Sequence, residues 1–243
     1  MEIKESNYVY DNVIQIDEAT ASRKFIANVF LWMFVALGIS AVFAFIFANT
    51  SLILLLVDPV TYQPNMLAYI AMFSPLAFVL LMRFGLNKIS LPALVLVYAT
   101  YAAVTGISLS FILLAYTASS VLGVFLTSSV VFGIMAVAGY TTDTDLTKFG
   151  SLMIMLLIGI IVATLLNLFV LHSSGLDLII SYVGVAVFVG LTAYDVQKLK
   201  RIGAGLEYGD ASSKKMAVMG GLTLYLDFIN LFLMLLRIFG GRK

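Results

Sequence analysis

Seven separate stretches of the chain are each apolar enough, and close enough to the required length, to cross a lipid bilayer, and this repetition constrains the fold more than any motif. A spanning helix needs about 20 largely apolar residues. The stretches lie at about 25–48, 66–83, 91–116, 119–140, 151–171, 176–198 and 217–239. With no water inside the hydrocarbon, backbone N–H and C=O groups must be satisfied within each segment, so segments of this kind are helical. The chain shows no internal repeat, low-complexity tract or soluble domain. The expectation is an all-α integral membrane protein with seven transmembrane helices, residues 25–239 forming one membrane domain behind a polar tail, residues 1–24. Composition agrees: 62% of the 243 residues are hydrophobic and 11% are charged, against roughly 25% charged in soluble domains.

Several classes of chemistry drop out. There are no cysteines and one histidine, His172, so disulfides, thiol catalysis and clustered Cys/His zinc sites are excluded. Net charge is +1 and no basic run exceeds two residues, which argues against a nucleic-acid partner. The tail sets Glu2, Glu5, Asp11, Asp17 and Glu18 against Lys4, Arg23 and Lys24. A cleavable signal peptide would begin with a basic patch and a short apolar run, so the first helix is expected to insert uncleaved.

Lys and Arg set the orientation. With the N-terminus in the cytoplasm, the 2–3 loop adds Arg83 and Lys88 and the 4–5 loop adds Lys148 on that side. The 6–7 loop adds Lys198, Lys200, Arg201, Lys214 and Lys215. The connections at 49–65, 117–118 and 172–175 hold no Lys or Arg. Seven crossings leave Arg237, Arg242 and Lys243 outside, against the rule; a re-entrant last segment would bring them back.

The acids carry the functional signal. Of 13 acidic residues, Asp195 and Asp227 alone lie inside apolar segments. An aspartate at the centre of a span costs about 2.5–3.5 kcal/mol on insertion scales, so it needs a partner and usually has a task. Measured from the ends of the apolar runs, Asp195 lies about 13 Å shallower than Asp227 at 1.5 Å per residue. The two meet only if the sixth helix continues through Gln197 to Lys200, or if the seventh starts above the interface. Arg83, at the same end of the second helix, either snorkels to the interface or reaches a carboxylate. Like charges held close oppose the ionisation of one carboxyl, while an arginine favours it. Two acids and an arginine therefore titrate as one unit, which gives a physical basis for a proton-sensitive latch.

Polar residues at helical spacing extend the picture. Gly220, Thr223, Asp227, Asn230 and Arg237 share a stripe of the seventh helix. Tyr98, Tyr101, Thr105 and Ser108 line the third, and Thr164 and Asn167 the fifth. Such stripes face protein or water rather than lipid, and Thr223, Asn230, Asn167, Thr105 and Ser108 are candidate pore-lining residues. The bland reading of Asn167 and Asn230 is an interhelical hydrogen bond. That of Gly133, Gly139, Gly159, Gly184 and Gly190 is close helix packing.

At these residues a resemblance emerges. Gly190-Leu-Thr-Ala-Tyr-Asp-Val-Gln-Lys-Leu-Lys200 resembles the sixth-helix motif of the Bax inhibitor-1-like (transmembrane BAX inhibitor motif) family. Leu224-Tyr-Leu-Asp-Phe-Ile-Asn-Leu-Phe232 is similar to that family's last helix, and Thr127 through Thr144, Asp145, Leu146, Gly150 and Asn167 to its middle. The resemblance implies a seven-helix fold with the last helix enclosed by the other six. It also implies a pH-sensitive calcium leak channel of a bacterial plasma (inner) membrane, not an enzyme. Calcium would be the transported ion, with no cofactor, and lipid, calcium ions and protons would be the partners. The two aspartates would be hydrogen-bonded to each other, contact calcium transiently and be latched by an arginine, which by position is Arg83.

Two other functions fit parts of the sequence. An intramembrane aspartyl protease would use Tyr194-Asp195, but its second motif, Gly-x-Gly-Asp, reads Leu224-Tyr-Leu-Asp227 here. A regulator binding membrane proteases or other membrane proteins would dock through the acidic tail or the 203–215 loop.

Overall fold

The computed structural model describes residues 18–58, 61, 63–85, 89–205 and 211–243. They form seven helices: α1 (Glu18–Asn49), α2 (Met66–Gly85), α3 (Leu91–Ala115), α4 (Ala118–Thr141), α5 (Thr147–Leu166), α6 (Ser174–Ala204) and α7 (Ala211–Phe239). A 3₁₀ turn, Ser51–Leu55, follows α1, and a π-helical turn, Asn167–Leu171, extends α5. Among the described residues there is no β-strand, only two isolated bridges. Six helices are long and apolar enough to cross a membrane. α2 is the seventh, with 20 residues and Pro75 inside it. The chain is an all-α, multi-pass membrane protein.

Burial ranks the helices. In the apolar span of α7 56% of residues are buried, against 11% in α5. α7 is the axial helix. Its direct neighbours are α1, α3, α4 and α6, while α2 packs on α3 and α5 packs on α6. Enclosure of the last helix is thus the direct work of four helices, with α2 and α5 flanking them. Leu224, Tyr225, Leu231 and Leu236 of α7 are fully buried, whereas Ile154, Met155, Ile158 and Val162 of α5 are exposed. In a bilayer those α5 side chains face lipid.

Polar contacts assign ends to faces. On one face the start of α1 meets the end of α6, where Ser22 Oγ donates to the Lys200 carbonyl at 2.9 Å. On the other, the chain beyond α7 runs beside the two-residue α3–α4 turn. Thr117 N donates to Gly241 O and Lys243 N to Ala115 O, both at 3.0 Å. Lys243 Nζ also donates to Leu113 O, and Gly241 N to Ser120 Oγ. α7 is therefore one continuous 29-residue helix that crosses the bundle, not a re-entrant segment, and the start of α1 and the residues after α7 lie on opposite faces. Two of the three cations that defy the charge rule have partners there: Lys243 has a carbonyl, and Arg242 lies 6.0 Å from the Tyr116 ring centre.

Close approach is paid for in side-chain volume at several glycines. A Cβ on Gly139 of α4 would overlap the Ala193 backbone of α6, and one on Gly106 of α3 would overlap the Ser40 carbonyl of α1. Gly133 and Gly159, by contrast, have open space where a Cβ would go, so only part of the glycine set serves helix packing.

The cysteine-free chain makes the topology directly testable. Single cysteines replacing exposed Thr20 and Gly241 are expected to react with a membrane-impermeant maleimide from opposite sides of sealed vesicles. Labelling of both from one side contradicts seven crossings.

Candidate functional site

The two intramembrane acids meet. α6 stays helical to Ala204, six residues past the end of its apolar run at 198, and α7 begins at Ala211, six before its run opens at 217. The bilayer boundary inferred from hydropathy is therefore not where either helix ends, and the 13 Å offset vanishes. Asp227 is buried, at 5% exposure, among Leu224, Phe228 and Leu231. Asp195 is half-buried. Their side chains are hydrogen-bonded to each other. A hydrogen bond between two carboxyl groups needs a proton on one of them. Among the described residues, Asp227 Oδ2 is the buried side-chain oxygen without a hydrogen-bond partner. The side chain of Arg83 lies outside the described residues.

The remaining candidates are spread over several elements. Thr223 and Asn230 lie one turn either side of Asp227 on α7, both half-buried. Each donates back to its own helix, Thr223 Oγ to Met219 O at 3.2 Å and Asn230 Nδ2 to Leu226 O at 2.8 Å. On α3, Thr105 donates to Tyr101 O and Ser108 crosses to Ala71 O of α2 at 2.7 Å. Asn167 stands apart from these. Its amide donates to Ser173 O and Asp177 Oδ1, and its Oδ1 accepts from Ser173 N. Those bonds tie off the π-turn before His172, whose φ of 50° is left-handed. Asp195 is 18 residues along α6 from Asp177, about 27 Å at 1.5 Å per residue, so Asn167 belongs to the opposite end of the bundle.

Two polar features escaped the sequence reading. The first is a tyrosine cluster between α1, α3 and α7. Ser40 Oγ donates to Ala102 O and bonds Tyr225 OH, each at 2.7 Å. Since the serine proton is committed to the carbonyl, Tyr225 is the donor to Ser40. The Tyr225 ring meets Tyr101 edge-on at 5.6 Å, and Tyr98 donates to Trp32 O at 3.1 Å. Tyr98 and Tyr101 stood out on their stripe, but nothing near Ser40 marks it as their partner.

The second is a clamp at the end of α6. The amide of Gln197, 5% exposed, accepts from Leu146 N at 2.9 Å and donates to Thr144 O at 2.8 Å. One turn on, Lys200 Nζ donates to Tyr140 O at 2.8 Å, and Arg201 pairs with Asp145 at 2.9 Å. One segment of α6 thus holds the whole α4–α5 loop, residues 142–146. The Asp145 carboxyl is held at about 2, below its ordinary 3.8, first by hydrogen bonds from the Thr147 hydroxyl and N–H and then by Arg201.

A seven-helix membrane bundle with a hydrogen-bonded pair of carboxyls between its axial helix and a neighbour defines a class of protein, and sequence comparison supplies its family. The chain belongs to the Bax1-I family, described as inhibitor of apoptosis-promoting Bax1, whose model matches residues 22–243. It is 40% identical over 234 residues to the inner membrane protein YbhL of Escherichia coli K12, covering 96% of this chain and 97% of that one. A Borreliella burgdorferi protein is 42% identical over 93% of this chain and 95% of its own. An uncharacterised membrane protein of Streptococcus pyogenes serotype M3 is 36% identical over 95% and 98%.

Two outcomes follow. A folded-state carboxyl held below its ordinary value adds stability above that value and loses it as the pH falls through the lower one. The stability difference between wild type and Asp145→Asn should be constant above about 3.8 and disappear as pH approaches about 2, measured by thermal melts in detergent. In the tyrosine cluster, Ser40→Ala and Tyr225→Phe should each cost about 1 kcal/mol. Their double mutant should cost less than the sum, because both single changes remove the Ser40–Tyr225 bond.

Proposed function

We propose that the protein is a pH-sensitive calcium leak channel of the bacterial inner membrane, with its N-terminus in the cytoplasm. The observation that carries the reading is the hydrogen-bonded Asp195–Asp227 pair between α6 and the axial helix, with one Asp227 oxygen unpaired among the described residues. Sharing a proton, the pair presents one negative charge; losing it, two carboxylates face each other and repel. Protonation thus changes both the charge along the path and the force between α6 and α7.

Carboxylate oxygens are the hard donors that calcium prefers, but it takes six to eight oxygens in a stable site. Among the described residues no group of three or more acids and histidines gathers to hold a metal. That suits an ion in passage, with water or carbonyls completing its shell, better than one stored. Arg83 is the proposed latch, competing with the cation for the carboxylates. The inner-membrane location rests on the printed name of the Escherichia coli relative, and the orientation on the Lys and Arg asymmetry.

Purified protein in liposomes loaded with a calcium dye should pass calcium at a rate that varies with pH. Asp195→Asn and Asp227→Asn should each flatten that dependence, while Asn167→Ala, at the far end of the bundle, should keep it. PH-dependent flux that survives both aspartate changes would remove the acid pair from the mechanism.

A further inference from the structure

Asp195 and Gln197 stand two residues apart on α6, and at 100° per residue their side chains leave the helix about 200° apart. One face of α6 thus delivers Asp195 to α7, and the opposite face delivers Gln197 to the α4–α5 loop. The Gln197 contact is specific: both atoms of a buried amide are used on two backbone groups of the loop. Arg201, a turn away, adds the Asp145 pair, and Lys200 satisfies a carbonyl in the last turn of α4. Cavities of about 300 and 350 Å³ lie against this end of α6, and Gln197 and Arg201 line both. Thr142 and Asp143 of the loop line the second of them, so free volume lies against the loop as well as against α6.

We propose that Gln197 is a positioning residue: by holding the α4–α5 loop it fixes the rotation of α6 that keeps Asp195 against Asp227, so that displacing the loop opens the acid pair. This rests on the reading of that pair as the pH-sensing site and names its regulation. The loop exposes Asp143, Thr144 and Asp145, which makes it a handle that a cytoplasmic cation or protein could pull. The lever is short, because Gln197 lies about 3 Å along the axis from Asp195, and turning α6 moves both side chains at once.

Among the described residues, the charged group acting on Asp227 is Asp195 of α6. From α3, Tyr98 and Tyr101 gather around Trp32 and Tyr225 instead. From α4, Tyr140 lies under Lys200, 4.9 Å from its Nζ. Arg23 and Lys24 of α1 are exposed, and the Arg83 side chain of α2 is outside the described residues.

The test uses the full chain in liposomes with two readouts on each variant. Infrared absorption of protonated carboxyls is followed across pH and assigned by its loss in Asp227→Asn; calcium flux is followed alongside. Separating two carboxyls weakens their mutual influence, so the gap between their two titration steps should narrow. Gln197→Met keeps the side-chain length without either hydrogen bond, and should narrow the gap by about one pH unit. Arg201→Ala, at an exposed side chain, should narrow it less. Gln197→Glu keeps the acceptor for Leu146 N and should fall between wild type and Gln197→Met. Ser120→Ala removes a bond at the opposite face and should leave the gap unchanged. A merely structural Gln197 would lower the melting temperature without moving the carboxyl titration. A wild-type titration in Gln197→Met, or in Arg201→Ala where the former fails to fold, overturns the proposal. A narrowed gap in proteins that pass no calcium upholds the clamp and removes the calcium reading alone.

Discussion

Two carboxyl groups in an apolar bundle are the constraint on which this architecture turns. Each aspartate costs kilocalories to place in a membrane unless it is partnered, and each finds the other across α6 and α7. That contact needs two helices of similar depth side by side, one of them on the bundle axis. α7 takes the axis because its flanks are apolar almost all round and only one stripe is polar. α6 takes the neighbouring place, with Gly139 of α4 letting it sit close on its far side.

The rest of the polar inventory serves to hold that arrangement. On the face where α1 begins, Ser22, Gln197, Lys200 and Arg201 tie α1, the end of α6 and the α4–α5 loop together. On the other face, residues beyond α7 are pinned to the α3–α4 turn, and Asn167 ties off the junction of α5 and α6. Between them, Ser40 and Tyr225 join α1 to α7. Nearly all these bonds end on backbone carbonyls or amides. Side chains that satisfy helix ends and short turns cost little to bury, because each removes an otherwise orphaned backbone group. The acid pair differs in kind, being a contact between two side chains that carry the same charge when both are ionised.

Legibility in the sequence followed the range of the interaction. The helices were legible because a bilayer imposes a length and a polarity on each segment independently. Asp195 and Asp227 were legible because an acid in an apolar run is anomalous wherever the run ends up. The meeting of the two was not, since it depends on α6 and α7 extending past their apolar runs. The α6 extension is held because Lys200 and Arg201 find partners in Tyr140 and Asp145, more than fifty positions away. Asn167 shows the converse. Its polarity within an apolar stretch suggested a path, but a local turn absorbs its whole amide.

By itself the sequence determined the class of fold, the number of crossings, the family and the two acids, because hydrophobic length and the cost of an intramembrane charge are properties of single segments. Tertiary structure decided that α7 crosses fully, with the start of α1 and the residues after α7 on opposite faces, and which four helices pack most on it. It also decided that the acids share a hydrogen bond and that α6 is held from behind by a loop. Each of these depends on relative depth and rotation of helices, which hydropathy leaves free and which only long-range contacts fix.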